Sequence, residues 1–482
     1  DNVPQARIYK AWNVPPRDTE AAAHFDLASS VLVGGKNSPL YKELVYDKQI
    51  ATNVSAFYYD REIAGMFFLV VDVVAGEDPV AVENAMDEVM DAFIRKGPNA
   101  KLLKAEKTKA LAGFIRGIQR IGGFGGKSDL LATCQTYTGN PGCYRENARY
   151  LDEVTPAKMK ATFAEWIDDT PYVLTILPNE KLGVNETGVD RSSGVPYPTE
   201  KVSFKFPTLQ TATLSNGAKV VLAQRTGVPL VELNFQFSFG YAQENNNELG
   251  YTNFMMDMLN EGTKKYSSLQ FDEVLDSLGS NLGFGSGLDT SYATVSSLKT
   301  NLEETLDLAR EALIHPTFPQ KEIDRIKKQT LASIVQEENR PAAIAYRNIG
   351  KLLYGDNHPY GKPLTGSGIS ATISDITRED VIAVHKRAIN PANLTFAVAG
   401  DINLDELVEM LEVKFGNWSG DSNPDLKMLN NVALPATRTV YLIDKPNAQQ
   451  SYIVAGQLLP PSATDEEIKI SYMNYAIGGS FT

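Results

Sequence analysis

The chain repeats its own opening near its end. Residues 7–36 contain Arg-Ile-Tyr-Lys-Ala-Trp-Asn-Val-Pro-Pro, a stretch of helical character, and Gly34-Gly35. Residues 450–480 contain Gln-Ser-Tyr-Ile-Val-Ala-Gly-Gln-Leu-Leu-Pro-Pro, another such stretch, and Gly478-Gly479. The interval from Pro-Pro to Gly-Gly is 19 residues in the first copy and 18 in the second. Each copy predicts a strand, a turn and a helix stopped by glycine. The copies are offset by roughly 445 residues, so the sequence reads as a circularly cut view of a two-half protein. At 482 residues the chain is too long for one ordinary core; two to four domains are expected.

Between the copies, strands and helices alternate. Residues 51–59 and 65–74 predict paired strands around Asp60-Arg-Glu, and Asp78-Pro79 opens an amphipathic helix. Val82, Met86, Val89, Met90 and Phe93 share one face of that helix, and Gly97-Pro98 stops it. A long helix follows from about Ala100, Thr155-Pro156 caps another, and residues 172–177 close the block as a strand. Residues 178–207, rich in Gly, Ser and Pro, read as an exposed linker. A hairpin around Ser215-Asn216-Gly217 opens a second block, which continues through a strand at 231–239, helices at 303–314 and 320–338, and a strand at 394–399. The pattern predicts an α+β fold of repeated two-layer domains, each an antiparallel-rich sheet covered by helices. The expected boundaries are a first domain over 1–178, a linker over 179–207, a second domain over 208–425, and the start of a last domain over 436–482.

Charge and composition exclude several partners. The net charge of −13 leaves no basic stripe for phosphates, which argues against nucleic acid or anionic membrane. The longest apolar runs are of strand length and interrupted by charge, so no membrane span is expected. Cys134 and Cys143 lie nine apart across a Gly/Pro-rich loop. They read equally as a disulfide, which would suggest an oxidising compartment, or as two free thiols. The four histidines are scattered, with no two at ligand spacing. Gly122-Gly-Phe-Gly-Gly-Lys127 lacks the phosphate-loop spacing and follows a helical run, so a helix break is expected there. His358, in His-Pro-Tyr-Gly, reads as part of a turn.

The stretch Gly250-Tyr-Thr-Asn-Phe-Met-Met-Asp-Met-Leu-Asn-Glu-Gly-Thr263 carries the functional signal. It resembles the zinc-binding helix of the pitrilysin/insulinase-like peptidases, whose inverted motif is H-x-x-E-H. Gly250, Phe254, Met258, Leu259, Gly262 and Thr263 keep the family's spacing, and His358–Pro363, Ile376–Asp380, Asn390–Leu394 and Ala399–Asp401 extend the resemblance over nearly the whole chain. The chemistry is missing. Asn253 and Asp257 stand at the two histidine positions, and Met256 stands at the general-base glutamate. A thioether cannot take a proton from water, and an Asn/Asp pair is a poor zinc nest. The family's third ligand, a glutamate about 76 residues past the second histidine, falls on Ser333, with Glu337 and Glu338 one helical turn out of register. Two oxygens on one helix are also too few for calcium or magnesium.

The resemblance implies a division of labour. In fused members one half holds zinc and the other supplies an Arg/Tyr pair that binds substrate. Here Val45 and Thr52 occupy the Arg and Tyr positions of the first block. The first block therefore looks like the second domain of an active N-terminal half, and the block from residue 208 like the metal-free half. The chain begins without methionine and reads as an internal fragment of a longer protein. Its parent is expected to be a zinc metalloendopeptidase of short or unfolded peptides, with zinc bound upstream of residue 1 and none in this fragment. Expected partners are peptide substrates, the N-terminal domain and the rest of the C-terminal half; the expected location is the bacterial periplasm or exterior. The resemblance admits one rival: a catalytically dead scaffold, as in the core subunits of respiratory complexes.

Overall fold

The computed structural model describes residues 5–167, 170–178, 207–420, 439–446, 448, 450–459 and 464–479. The expected linker lies almost wholly outside them. The fold is α+β, built on two antiparallel-rich sheets with helices packed on them.

The first sheet contains β1 (Arg7–Val14), β2 (Ala51–Tyr59), β3 (Gly65–Val73) and β4 (Tyr172–Ile176), in the antiparallel order β2-β3-β1-β4. Its pleat explains its faces. Ile8, Lys10, Trp12 and Val14 of β1 and Phe67, Leu69 and Val71 of β3 point inward, and the residues that alternate with them point out. Six helices belong to this unit: α1 (Glu20–Val33), α2 (Pro79–Lys96), α3 (Ala100–Gly117), α4 (Lys127–Thr138), α5 (Cys143–Glu153) and α6 (Pro156–Trp166). The side chains of Asp78, Asn99 and Thr155 cap α2, α3 and α6, and Gly97 ends α2 at φ 77°. Buried Lys10 reaches from the sheet to Asp87 (2.6 Å) and Glu83 (2.9 Å) on α2. A π-helical turn, Tyr41–Asp47, links α1 to β2.

Gly122–Lys127 is the expected break: it separates α3 from α4, with Gly123 and Gly125 at positive φ. Cys134 and Cys143 form a disulfide between α4 and α5.

The second sheet has the order β5-β6-β10-β7-β9-β8. Along the chain, β5 (Gln210–Thr213), β6 (Lys219–Gln224) and β7 (Leu230–Phe237) lead into α7 (Tyr251–Asp257) and α8 (Ser268–Ser277). Then come β8 (Asn281–Ser286), β9 (Ser291–Leu298), α9 (Leu302–Ile314), α10 (Gln320–Glu337), α11 (Pro341–Tyr354), α12 (Ser370–Asp375) and α13 (Arg378–Ala388). The unit closes with β10 (Leu394–Gly400) and α14 (Leu404–Phe415). β10 lies parallel to β6, and the other neighbours are antiparallel.

The second copy of the repeat differs from expectation. Its helix forms as α15 (Asp465–Asn474), but residues 450–459 make no strand. In the first copy β1 is held between β3 and β4. Among the described residues no strand pairs with 450–459. A helix can form from local bonds, whereas a strand needs neighbours. Among the described residues no helix is long and apolar enough to cross a membrane.

Candidate functional site

Helix α7 begins where only glycine fits. Gly250 sits at φ 93°, and a Cβ there would come within 2.7 Å of the Ser367 carbonyl and 2.8 Å of Gly368 Cα. A glycine at this N-terminus offers no capping side chain, and Glu244 takes that role from six residues upstream. Its buried carboxylate accepts the backbone N–H groups of Gly250 (2.9 Å) and Thr252 (2.7 Å). Burial pushes the Glu244 carboxyl up to about 7; the two N–H groups and Lys362 pull the other way without overcoming it.

The four positions singled out in the sequence hold different environments. Asn253 is half-buried and fully engaged: its Oδ1 accepts from Ser286 N (3.1 Å) and its Nδ2 donates to Gly366 O (3.0 Å). Met256 is wholly buried in the second core. Asp257 is open to solvent yet crowded by protein, as in a recess; that crowding, then Glu261, raises its carboxyl to about 6. Ser333 is exposed on α10, which packs against α7. Glu337, one turn beyond Ser333, is committed elsewhere. It pairs with Arg347 (2.6 Å) and accepts from Ser367 Oγ (2.6 Å), fixing the loop that lies against Gly250.

These residues do not fit zinc. One amide has both polar atoms bonded to the protein, one thioether lies in the core, and a single carboxylate has its charged form disfavoured. Among the described residues, no three His, Cys, Asp or Glu side chains gather where a metal ion could sit. His358 belongs to a turn: its Nδ1 accepts from Tyr360 N (3.0 Å), and its ring stacks on Tyr354.

A second set of residues beside α7 escaped sequence reasoning. Glu261, one turn past Asp257, is buried and accepts from Lys36 Nζ (2.8 Å), Ser268 Oγ (2.7 Å) and Arg325 Nη2 (2.5 Å). Burial opposes its charge, but Lys36 and Arg325 outweigh that and hold its carboxyl below the usual range. Arg325 also binds Glu322 (2.7 Å), which accepts from the hydroxyl of Tyr46 (2.7 Å). Thr52 takes part through Gln5: Gln5 Nε2 donates to Thr52 Oγ1 (3.0 Å), and Gln5 Oε1 accepts from Gln336 Nε2 (3.2 Å). Val45 is buried in the first core. The stretch from Val45 to Thr52 thus lies near α10 and the end of α7. The pairs that join the two blocks, Lys36–Glu261, Tyr46–Glu322 and Gln5–Gln336, are 225 to 331 residues apart, and no local pattern in the sequence marks them.

Comparison with known proteins agrees with the shape of α7 and with the repeat. Residues 219–367 match the insulinase family, peptidase family M16. Residues 1–110 and 375–482 both match the family's inactive domain. An uncharacterized zinc protease of Rickettsia felis is 26% identical over 204 residues, covering 42% of this chain and 49% of that protein. The non-peptidase homologue YmxG of Helicobacter pylori is 24% identical over 212 residues, covering 43% and 48%. The solved structure of a peptidase M16 inactive domain from Pseudomonas fluorescens shares 28% identity, covering 47% of this chain and 54% of that one, with a TM-score of 0.44. The matched stretches span about half the length of these two curated relatives. Different parts of the chain match two descriptions of a single family, and the chain belongs to that family, the insulinase-like M16 peptidases.

Proposed function

We propose that this chain supplies the metal-free half of the substrate chamber of a zinc metalloendopeptidase that degrades short or unfolded peptides. The observation that carries the reading is α7. The stretch keeps the residue spacing of the family's motif, while Asn253 is bonded to backbone and Met256 is buried. Zinc would be held by a half outside this sequence, and this chain would enclose and bind the peptide.

The open sheet faces support that role. On the first sheet, Phe57 lies opposite Phe68, Tyr59 opposite Met66, Tyr9 opposite Leu174 and Ala11 opposite Tyr172, on the face turned from the helices. Phe57, Tyr59, Tyr172 and Leu174 are exposed there, an apolar surface of the kind that marks binding. On the second sheet the outward residues of β7 and β9 are mostly polar, among them Glu232, Gln236 and Thr294, while those of β6 and β10 include Val221, Ala223 and Ala397. The Cys134–Cys143 disulfide favours an oxidising compartment, the bacterial periplasm or exterior.

The test compares this chain with the longer gene product. The longer protein should hydrolyse an unfolded peptide, lose activity with chelator and regain it with zinc. The isolated chain should do neither chemistry nor stoichiometric zinc binding, and one equivalent of tightly bound zinc on it would sink the proposal. A second reading, a non-catalytic scaffold, draws on the printed name of the Helicobacter relative. It gains if the longer protein is inert with and without zinc.

A further inference from the structure

Helix α3 ends in a loop that holds apolar side chains out in water. Phe124 is 95% exposed and Ile121 79%. The loop is nevertheless ordered by its own backbone. Lys127 N donates to Arg120 O (2.9 Å), Ser128 N to Ile121 O (2.9 Å) and Gly126 N to Gly123 O (3.2 Å). Asp129 closes the turn by accepting from Gly125 N (2.8 Å). Ordering a glycine-rich turn costs entropy, and this one buries neither Ile121 nor Phe124.

The surroundings of the tip are basic. Residues 101–127 carry seven Lys or Arg and one Glu, in a chain of net charge −13. Lys101, Lys107 and Lys109 pair with carboxylates. Arg120 and Lys127, which flank the tip, are exposed and form no ion pair among the described residues.

The loop also has a definite place. Arg116, in the last turn of α3, donates to Ser296 Oγ (2.8 Å) and Gly279 O (2.9 Å) of the second domain. Ser296 Oγ donates in turn to Glu232 (2.7 Å), an outward residue of β7. Gly125 O folds back against Gly117, one residue past Arg116. The tip therefore stands at the rim of the second sheet's open face.

We propose that this tip is a docking site for the peptide itself. Ile121 and Phe124 cover an apolar side chain of an unfolded segment, and Arg120 and Lys127 take carboxylates beside it. The proposal rests on the peptide-binding reading of this chain and adds which peptides it selects, acidic-apolar segments over basic ones. Covering Phe124 removes apolar surface from water. The Arg120 guanidinium offers a planar fork that matches a carboxylate, and a basic segment would meet like charge there. A membrane is a poorer occupant, because the rest of the chain is acidic and anionic lipid would repel it.

The experiment uses the full 482-residue chain, with its disulfide oxidised, and two fluorescein-labelled peptides. One alternates glutamate with leucine and phenylalanine; in the other, lysine replaces every glutamate. Fluorescence anisotropy should show the acidic peptide bound at least about tenfold more tightly. Phe124→Ser should weaken that binding by about tenfold, as expected for losing a covered aromatic side chain. Circular dichroism and melting temperature should not move, since the side chain is exposed. Arg120→Gln combined with Lys127→Gln should abolish the preference between the peptides and flatten its dependence on salt. Val413→Gln removes an exposed apolar side chain from α14, in the helix layer, and should change neither affinity.

Equal binding of the acidic peptide by wild type and Phe124→Ser overturns this proposal alone. Equal weakening by Val413→Gln also overturns it, because any exposed apolar group would then serve. If wild type binds neither peptide, the proposal falls together with the peptide-binding reading. Phe124→Ser that keeps peptide binding but dissociates a dimer in sedimentation, or releases the chain from phosphatidylserine vesicles, overturns it in favour of a second copy or a membrane.

Discussion

The carboxamide of Asn253 joins the end of β8 to the loop through Gly366, with one bond from each polar atom. Asn253→Ala leaves a half-buried N–H and C=O without those partners, at a cost of about 1–3 kcal/mol. Urea denaturation should show a lower midpoint with an unchanged slope; an unchanged midpoint would mean the two bonds are made equally well by water. That Asn253, Met256 and Asp257 stand where the resembling motif has two histidines and a glutamate is legible from the sequence alone. What Asn253 bonds to is not, because Ser286 and Gly366 lie 33 and 113 residues away. Glu244 makes a pH prediction of its own. Its carboxyl rises from 4.5 to about 7 on folding, so between those values the folded state holds more protons than the unfolded. Stability therefore falls as pH rises through that window, by about 3 kcal/mol in all. Glu244→Gln should flatten that slope, which paired urea melts at pH 5 and pH 8 would measure. A slope unchanged by the substitution would assign the dependence to another group.

Elements with local causes were legible, and elements with distant causes were not. Thr155-Pro156 and Asp78-Pro79 start helices because capping is settled within one turn. The same reasoning finds α15 in the second copy of the repeat but fails for residues 450–459, whose strand would need neighbours on both sides as β1 has. The disulfide is an intermediate case. Nine residues of separation across a Gly/Pro-rich loop permit it, and only the placement of α4 and α5 brings the two sulfurs together. It closes a short loop, so opening it should cost about 2–3 kcal/mol. That loss falls on the α4–α5 pair, which lies beside the exposed break carrying Ile121 and Phe124. Limited proteolysis after mild reduction should cut within 118–153 several times faster, with the second domain's fragments unchanged. Equal cutting rates would show that helix packing, and not the disulfide, holds the pair.

At the scale of the molecule, two separate cores predict two thermal transitions, since cooperative melting follows a contiguous core. Polar contacts join the domains along a seam that includes Lys36 to Glu261, Tyr46 to Glu322 and Arg116 to Gly279, and this seam couples the two cores in one direction only. Whichever domain melts first loses its own packing and the seam together, and the domain that melts second has already lost its partner. A change confined to the seam should therefore move the lower transition and leave the upper one in place. Tyr46→Phe is such a change: it deletes the hydroxyl that Glu322 accepts from and keeps the ring, which lies against Lys321 and Arg325. A hydrogen bond to a charged group contributes about 2 kcal/mol. For domains of this size that loss corresponds to a fall of roughly 4–8 °C in the lower transition. Scanning calorimetry of the oxidised chain reads both temperatures at once. A single transition would mean that polar contacts alone fuse the two cores into one cooperative unit. A shift of the upper transition by the same amount would place Tyr46 in the packing of the later-melting domain instead of in the seam.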